Sequence, residues 1–344
     1  MKIALVSTPF VAVPPRGYGG TELIVHELER GLSACHEVSL FATGDSRGRR
    51  VRALFRKPVW PPDPAVDLEH CRWVSQAIRA EHFDVVHAHT PSLLQFATEL
   101  GSPLVYTLHH AHDEKLSELY RQHPEVRFVA ISARQAALEP DIPCEVVYHG
   151  LDPARYRLGR GQGGYAAFLG RLSPAKAPEL AIAAARAAEV PIHLAGEFHA
   201  IDTTPQWEAR TRRALGSPGV FHLGEVSGVR KQRFLGGARA LLMPIKWEEP
   251  FGLVMLEAML CGTPVIAFPR GAVPEIIDEG VTGFLVENTM EMASVLARLE
   301  GFDRLACRRR AEQRFPALEM VNGYVRVYAS ASSWRGAWET AYVG

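Results

Sequence analysis

FLGRLSPAKAPEL, residues 168–180, passes from an apolar strand end through Gly170 and a polar turn into a helical stretch around Ala181, and a second strand follows at 192–195. Strands at 166–169, 192–195, 220–223, 240–243 and 264–268 alternate with helical patterns around Ala181, Gln206, Lys231 and Val254. Such alternation is the mark of a parallel sheet covered by helices on both faces. The first half has the same rhythm, with strands at 3–7, 38–41, 85–88, 104–108, 128–131 and 146–147, and helices at 22–32 and 68–80. Two α/β domains are therefore expected, and 344 residues with 47% hydrophobic content suffice for two cores. LGRGQGG, residues 158–164, is polar and glycine-rich and reads as the linker between them. This divides the chain into 1–157 and 165–331, followed by helical stretches at 318–328 and 334–342.

Ligands of parallel sheets bind at the carboxyl ends of the strands, so chemistry is sought there. On the turn of 168–180, Arg171 and Lys176 offer a planar fork and a mobile point charge, a pair suited to a diphosphate. EEPFGLVMLEA, residues 248–258, carries Glu249 before a proline and Glu257 inside an apolar helix. A residue before proline is pushed out of the helical region, so Glu249 belongs to the loop and the helix amides of Phe251, Gly252 and Leu253 open beside it. Glu257 lies more than a turn further on, too far for the close carboxylate pair of a retaining glycosidase, roughly 5 Å apart. The two acids are expected to touch different parts of one elongated ligand.

PRGYGGTE, residues 15–22, follows the first strand, and Gly19 and Gly20 would let the backbone approach a phosphate or a sugar. Its spacing does not fit the dinucleotide fingerprint. Eleven of the fourteen histidines precede the proposed linker, with HAH at 87–89 and HHAH at 109–112. That invites a metal-hydrolase reading, but no further Asp or His falls in a ligand motif and no Asp-any-Asp pair exists; no metal is expected.

Taken together, the glycine loop, the TLH strand end at 107–109, the GRLSP turn, the EEPFG helix start and the TGFLV strand at 282–286 resemble the retaining glycosyltransferases of family 4, over nearly the whole chain. The resemblance implies a GT-B fold: two facing Rossmann-like domains with a cleft between them and a C-terminal helix, 332–344, crossing back to the first. It implies transfer of a sugar from a nucleotide diphosphate sugar, preferentially a UDP-sugar, to an acceptor hydroxyl, with no other cofactor. His109, Arg171, Lys176 and Glu249 become catalytic candidates. Gly19, Gly20, Gly170, Gly224, Glu225, Val226, Phe251, Gly252, Leu253 and Glu257 become donor-binding candidates, Glu257 at the ribose. His110, His112 and Asp113 are placed on the acceptor side, the acceptor being a sugar, a lipid or another small molecule. Ala177 departs from the family, which commonly has glycine after the lysine. A GT-B sugar phosphorylase, a nucleotide-sugar epimerase and a nucleotide-sugar binding protein without turnover are the competing readings.

Lys plus Arg and Asp plus Glu balance at 38 each, which argues against a nucleic-acid partner. The five scattered cysteines have neither zinc nor disulfide spacing and read as reduced thiols of a cytoplasmic protein. No signal peptide or membrane span is read from the chain. The basic run 47–57 reads as a solvated loop, with contact to anionic lipid on the inner membrane face, or to a phosphorylated acceptor, as the sharper alternative.

Overall fold

The computed structural model describes residues 1–199 and 203–342, the side chains of 332–342 excepted. The chain forms two compact units, one of Met1–Gly150 with the segment from Ala317 onward, the other of Leu151–Pro316.

In the first unit, β1 (Lys2–Val6), α1 (Gly20–Leu32), β2 (Glu37–Phe41), β3 (Val51–Arg52), α2 (Pro64–Ala80), β4 (Val85–Ala88), β5 (Leu104–Thr107), α3 (Glu114–Arg121), β6 (Arg127–Ala130), α4 (Ala133–Ala137) and β7 (Cys144–Val146) follow in order. All strands are parallel, in the order β3-β2-β1-β4-β5-β6-β7. The order reverses between β1 and β4, where a crevice opens at the carboxyl edge of a doubly wound sheet. One layer of core lies between sheet and helices, from Val6, Val86 and Tyr106 on the strands to Val74 and Ile78 on α2.

The second unit contains β8 (Ala166–Leu169), α5 (Pro178–Ala187), β9 (Ile192–Ala195), α6 (Pro205–Leu215), β10 (Val220–His222), α7 (Gly228–Gly237), β11 (Leu241–Met243), α8 (Leu253–Leu260), β12 (Val265–Ala267), α9 (Val273–Ile276), β13 (Gly283–Leu285), α10 (Thr289–Ala297) and α11 (Arg304–Arg314). Its six parallel strands run β10-β9-β8-β11-β12-β13, so its reversal falls between β8 and β11. Finally α12 (Ala317–Tyr342) packs on α1, β4 and β5 of the first unit. Tyr324 and Tyr328 of α12 are buried there, and their hydroxyls lie 2.7 Å from Thr107 Oγ1 and 2.7 Å from His87 Nδ1.

Two expected boundaries differ. The glycine-rich run 158–164 is not a free linker: the amides of Gly159, Gly161 and Gly163 donate to the carbonyls of Cys261, Gly236 and Gly237, each at 2.9 Å. Arg304 adds bonds to the carbonyls of Gly159, Gly236 and Ala238. A Cβ on Gly159 would meet the Gly236 oxygen at 2.1 Å, so glycine serves close backbone approach here and not flexibility. The units therefore divide at Gly150/Leu151 and again at Pro316/Ala317, and 317–331 joins the first unit instead of the second. Of the expected crossing helix 332–344, residues 343 and 344 and the side chains of 332–342 lie outside what is described.

Candidate active site

The reversal point of the second sheet gathers the predicted cations and one of the acids. Beyond β8 the chain turns through Gly170 (φ +153°) to Arg171, and the Leu172 amide donates to the Glu197 carbonyl at 2.9 Å, tying this loop to the one after β9. A Cβ at Gly196 would meet the Gly170 oxygen at 1.8 Å, and the Gly196 amide donates to the Gly224 carbonyl at 2.9 Å. Gly170, Gly196 and Gly224 thus pack backbone against backbone along the carboxyl edge. Glu225 is exposed beside them and Val226 is buried.

Lys176 closes the β8 turn and forms an ion pair with Glu249 Oε2. Trp247 Nε1 donates to the same oxygen at 3.0 Å, and the Lys176 ammonium stands 4.6 Å from the centroid of the Trp247 ring. Burial strengthens such a cation–π contact. The Lys246 amide donates to the Ala175 carbonyl at 2.8 Å, locking the β8 and β11 loops together. Ala177, where the family favours glycine, keeps the left-handed conformation (φ 51°, ψ 54°) that a glycine adopts freely. Gly252 (φ 85°) caps α8, whose first amides have no acceptor within the helix, while the Phe251 side chain is buried against Phe315.

Glu257 stands apart from that cluster. Its buried carboxylate meets Lys231 Nζ at 2.5 Å and accepts from Tyr156 Oη at 3.2 Å, both at Oε1. Neither Lys231 nor Tyr156, nor Trp247 beside Glu249, was anticipated. Tyr156 and Lys231 lie far from Glu257 in sequence and carry no motif; Trp247 could have been found two residues before the glutamate.

In the first unit, His109 follows β5 and its Nε2 lies 2.7 Å from His89 Nδ1; its ring also stacks on His149 at 5.4 Å. The rings of His87 and His89 are tilted against each other with centroids 4.2 Å apart, and His87 Nε2 lies 2.8 Å from Thr107 Oγ1. Burial holds His87 and His149 down to about 3, and burial plus neighbouring histidines holds His89 and His109 well below the usual imidazole range. At neutral pH these rings are uncharged hydrogen-bonding groups. Gln135 of α4 donates to the carbonyls of Leu108 and His110, at 3.0 and 2.8 Å, and so fixes the loop that carries His109.

Two of the residues expected on the acceptor side make hydrogen bonds within the fold. Asp113 caps α3 by accepting from the amides of Lys115 and Leu116, and His112 Nδ1 pairs with buried Glu139 at 2.9 Å. His110 stays exposed. Gly19 stands where a Cβ would meet Pro15 at 2.7 Å, and Gly20 begins α1. Beside them Glu22 is buried, accepts from Thr8 Oγ1 at 2.8 Å, and has its pKa raised by that burial. In the basic run 47–57, Arg50 pairs with Glu37 and Glu81, and Arg52 with Glu81. Among the described residues no helix is long and apolar enough to cross a membrane, and no three His, Cys, Asp or Glu side chains are grouped to hold a metal ion.

Residues 158–305 match the model of glycosyl transferases group 1, and residues 18–134 match that of Glycosyltransferase Family 4. A D-inositol 3-phosphate glycosyltransferase of Actinosynnema mirum is 30% identical over 285 residues, 67% of this chain and 68% of that protein. The chain belongs to the family 4 glycosyltransferases. Its fold agrees with theirs. AviGT4, a glycosyltransferase involved in avilamycin A biosynthesis, superposes with a TM-score of 0.74 at 27% identity, covering 97% of this chain and 98% of its own. Anabaena HepE, solved in complex with UDP-glucose, has the same GT-B architecture, with a TM-score of 0.75 at 20% identity over 96% of this chain and 100% of its own. This family 4 glycosyltransferase thus carries Arg171, Lys176 and Glu249 on the loops of one reversal point and Glu257 on the helix behind them.

Proposed function

We propose that this glycosyltransferase takes a nucleotide diphosphate sugar, preferentially a UDP-sugar, in its second unit and transfers the sugar to an acceptor hydroxyl with retention and without a metal. The observation that carries the reading is the Lys176–Glu249–Trp247 cluster at the β8/β11 reversal, with the amides that open at the start of α8. Lys176 and Arg171 neutralise the diphosphate as it becomes the leaving group, and the α8 amides add fixed dipoles, so that charge developing on departure is stabilised without reorganisation. Glu249 serves twice, holding Lys176 in place and accepting from sugar hydroxyls. Glu257, steadied at Oε1 by Lys231 and Tyr156, accepts from the ribose hydroxyls. His109 of the first unit, kept neutral by burial, offers a hydrogen bond to a hydroxyl without adding a positive charge.

The UDP-glucose of HepE supports the choice of donor class. A thermal-shift comparison of UDP, GDP and ADP tests it, since a ligand specific to the folded state raises stability by mass action. UDP is expected to give the largest shift, and Lys176→Ala to lower nucleotide release from the matching sugar nucleotide at least tenfold, about 1.4 kcal/mol of transition-state stabilisation. Absence of a shift with all three nucleotides, or wild-type turnover in the variant, refutes the reading, as does an inverted anomer in the product.

A further inference from the structure

In the first unit the protons on a row of imidazoles can be placed from their neighbours. His89 Nδ1 and His109 Nε2 lie 2.7 Å apart, and burial keeps both rings uncharged at neutral pH. A neutral imidazole carries one N–H and one bare nitrogen. One proton therefore occupies the gap, and its owner settles the tautomer of both rings. If His109 owns it, His89 carries its own proton on Nε2 and His109 Nδ1 is a bare acceptor. If His89 owns it, His89 Nε2 is bare and His109 carries its proton on Nδ1.

The surroundings decide between the two. His89 is buried, and its Nε2 has no hydrogen-bond partner among the described residues. The polar groups around it are committed elsewhere: His87 uses Nδ1 toward Tyr328 Oη and Nε2 toward Thr107 Oγ1, and the Thr90 hydroxyl donates to Asp67 Oδ2. An N–H at His89 Nε2 would lack an acceptor, and orphaned buried N–H groups are rarer in folded proteins than under-used acceptors. His109 Nδ1 is in a different position. It makes no hydrogen bond among the described residues, but His109 is only half-buried and this nitrogen is not sealed in. A proton there can meet solvent or a ligand without that cost.

We infer that His89 is a positioning residue for His109: its Nδ1–H donates to His109 Nε2 and so fixes His109 as an Nδ1–H donor. The loop that carries His109 is held separately by Gln135, on the carbonyls of Leu108 and His110, and His149 stacks on the His109 ring. Loss of the His89 donor therefore changes where the His109 proton sits more than where the ring sits. With Nδ1 protonated and Nε2 occupied, His109 gives a hydrogen bond to a ligand oxygen and has no free nitrogen to take a proton from one, which excludes general-base work at that ring. That the ligand oxygen belongs to a sugar rests on the transferase reading proposed above, whereas the tautomer stands on the geometry of the first unit alone.

Nitrogen-15 NMR of the full chain labelled at histidine tests this, because protonated and bare ring nitrogens resonate far apart. In the wild type at neutral pH, His109 is expected to be protonated at Nδ1 and bare at Nε2, with His89 also protonated at Nδ1. His89→Phe keeps a ring and removes the donor. It should move the His109 proton toward Nε2 and lower turnover of the sugar nucleotide about three- to tenfold, the worth of one hydrogen bond, with the UDP thermal shift unchanged. His89→Asn, whose amide N–H falls near the place of Nδ1–H, should restore the His109 signal and most of the turnover, and His89→Gln, whose amide reaches the place of Nε2, should not. Protonation of His109 at Nε2 in the wild type overturns the inference and needs no variant to be seen. So does a His109 signal that His89→Phe leaves in place, or equal effects of the Phe, Asn and Gln variants. A proton that moves in His89→Phe while turnover stays at the wild-type level would support the pairing and count against the part of His109 in transfer alone.

Discussion

Replacing Gly271 with alanine probes how rigidly Glu249 is held. Gly271 has φ +60°, and a Cβ built on it would lie 2.2 Å from the Glu249 nitrogen, 2.3 Å from the Glu249 oxygen and 2.8 Å from the Glu248 carbonyl carbon. Ordinary non-bonded contacts of carbon begin near 3.5 Å, so the backbone of the Glu249 loop must retreat by about 1 Å. Left-handed backbone costs an L-residue about 1–2 kcal/mol, and forcing a methyl into packed structure about 1–3 kcal/mol more. The sum is about 2–5 kcal/mol. Gly280, with φ +73° and nothing within 4 Å of its would-be Cβ, isolates the backbone part. Urea unfolding should therefore find Gly280→Ala destabilised by about 1–2 kcal/mol and Gly271→Ala by a further 1–3 kcal/mol. The retreat also strains the 2.8 Å bond from the Ala272 amide to the Glu249 carbonyl, so turnover should fall by about tenfold to a hundredfold in Gly271→Ala only. Equal unfolding free energies for the two variants, or wild-type turnover in Gly271→Ala, would show that the loop yields without effort and that Glu249 is not held as described.

Lys231→Met leaves the Glu257 carboxylate buried with Tyr156 alone, which should cost about 3–5 kcal/mol in urea unfolding, and Lys231→Met/Glu257→Met should recover most of it; a cost under about 1 kcal/mol for the single variant contradicts the pairing. Tyr328→Phe removes the group facing His87 Nδ1 and should destabilise by about 1–3 kcal/mol, with no effect on UDP binding; a neutral result would show that α12 is not anchored through that contact. For pH, His87 and His149 titrate near 6.5 when unfolded and at about 3 in the fold, so the unfolded chain binds the extra protons. Their stabilisation is complete above pH 6.5 and is lost as pH falls toward 3. Between pH 7.5 and 5.5 each should remove about 1.4 kcal/mol, a combined loss of about 3 kcal/mol, and a urea midpoint that stays constant over this interval contradicts their buried, neutral state.

The sheets were legible because apolar runs of four or five residues, closed by glycine or a polar turn, recur with helical periods between them, and Arg171, Lys176 and Glu249 were legible because they sit where those strands end. What failed to show was partnership over long sequence distances. Nothing in α7 marks Lys231 as the cation beneath Glu257, and nothing in α2 marks His70 as a neighbour of Ser7, since helical periodicity tells which face is buried and not what it meets. The run 158–164 misled for a related reason: glycine signals either freedom or close approach, and only the carbonyls of Gly236, Gly237 and Cys261 decide between them. Asp113 reads as an exposed ligand because its place before a short helix, where a capping carboxylate satisfies two amides, carries little hydrophobic signal.

Ala177 shows how a departure from the family pattern can leave a site intact. A side chain in place of glycine would ordinarily redirect the loop between Lys176 and α5, yet φ and ψ near 50° keep the path a glycine would take, and the methyl is fully buried. The left-handed cost, about 1–2 kcal/mol, is met by that burial and by the lower conformational freedom of alanine in the unfolded chain. The Lys176 and Ala177 amides both donate to the Ser173 carbonyl, at 3.1 and 3.0 Å, so the turn that aims the ammonium is closed before the strained residue is reached. The substitution therefore acts on the stability of this loop and not on its direction, and Lys176 remains paired with Glu249 at the reversal point of the second sheet.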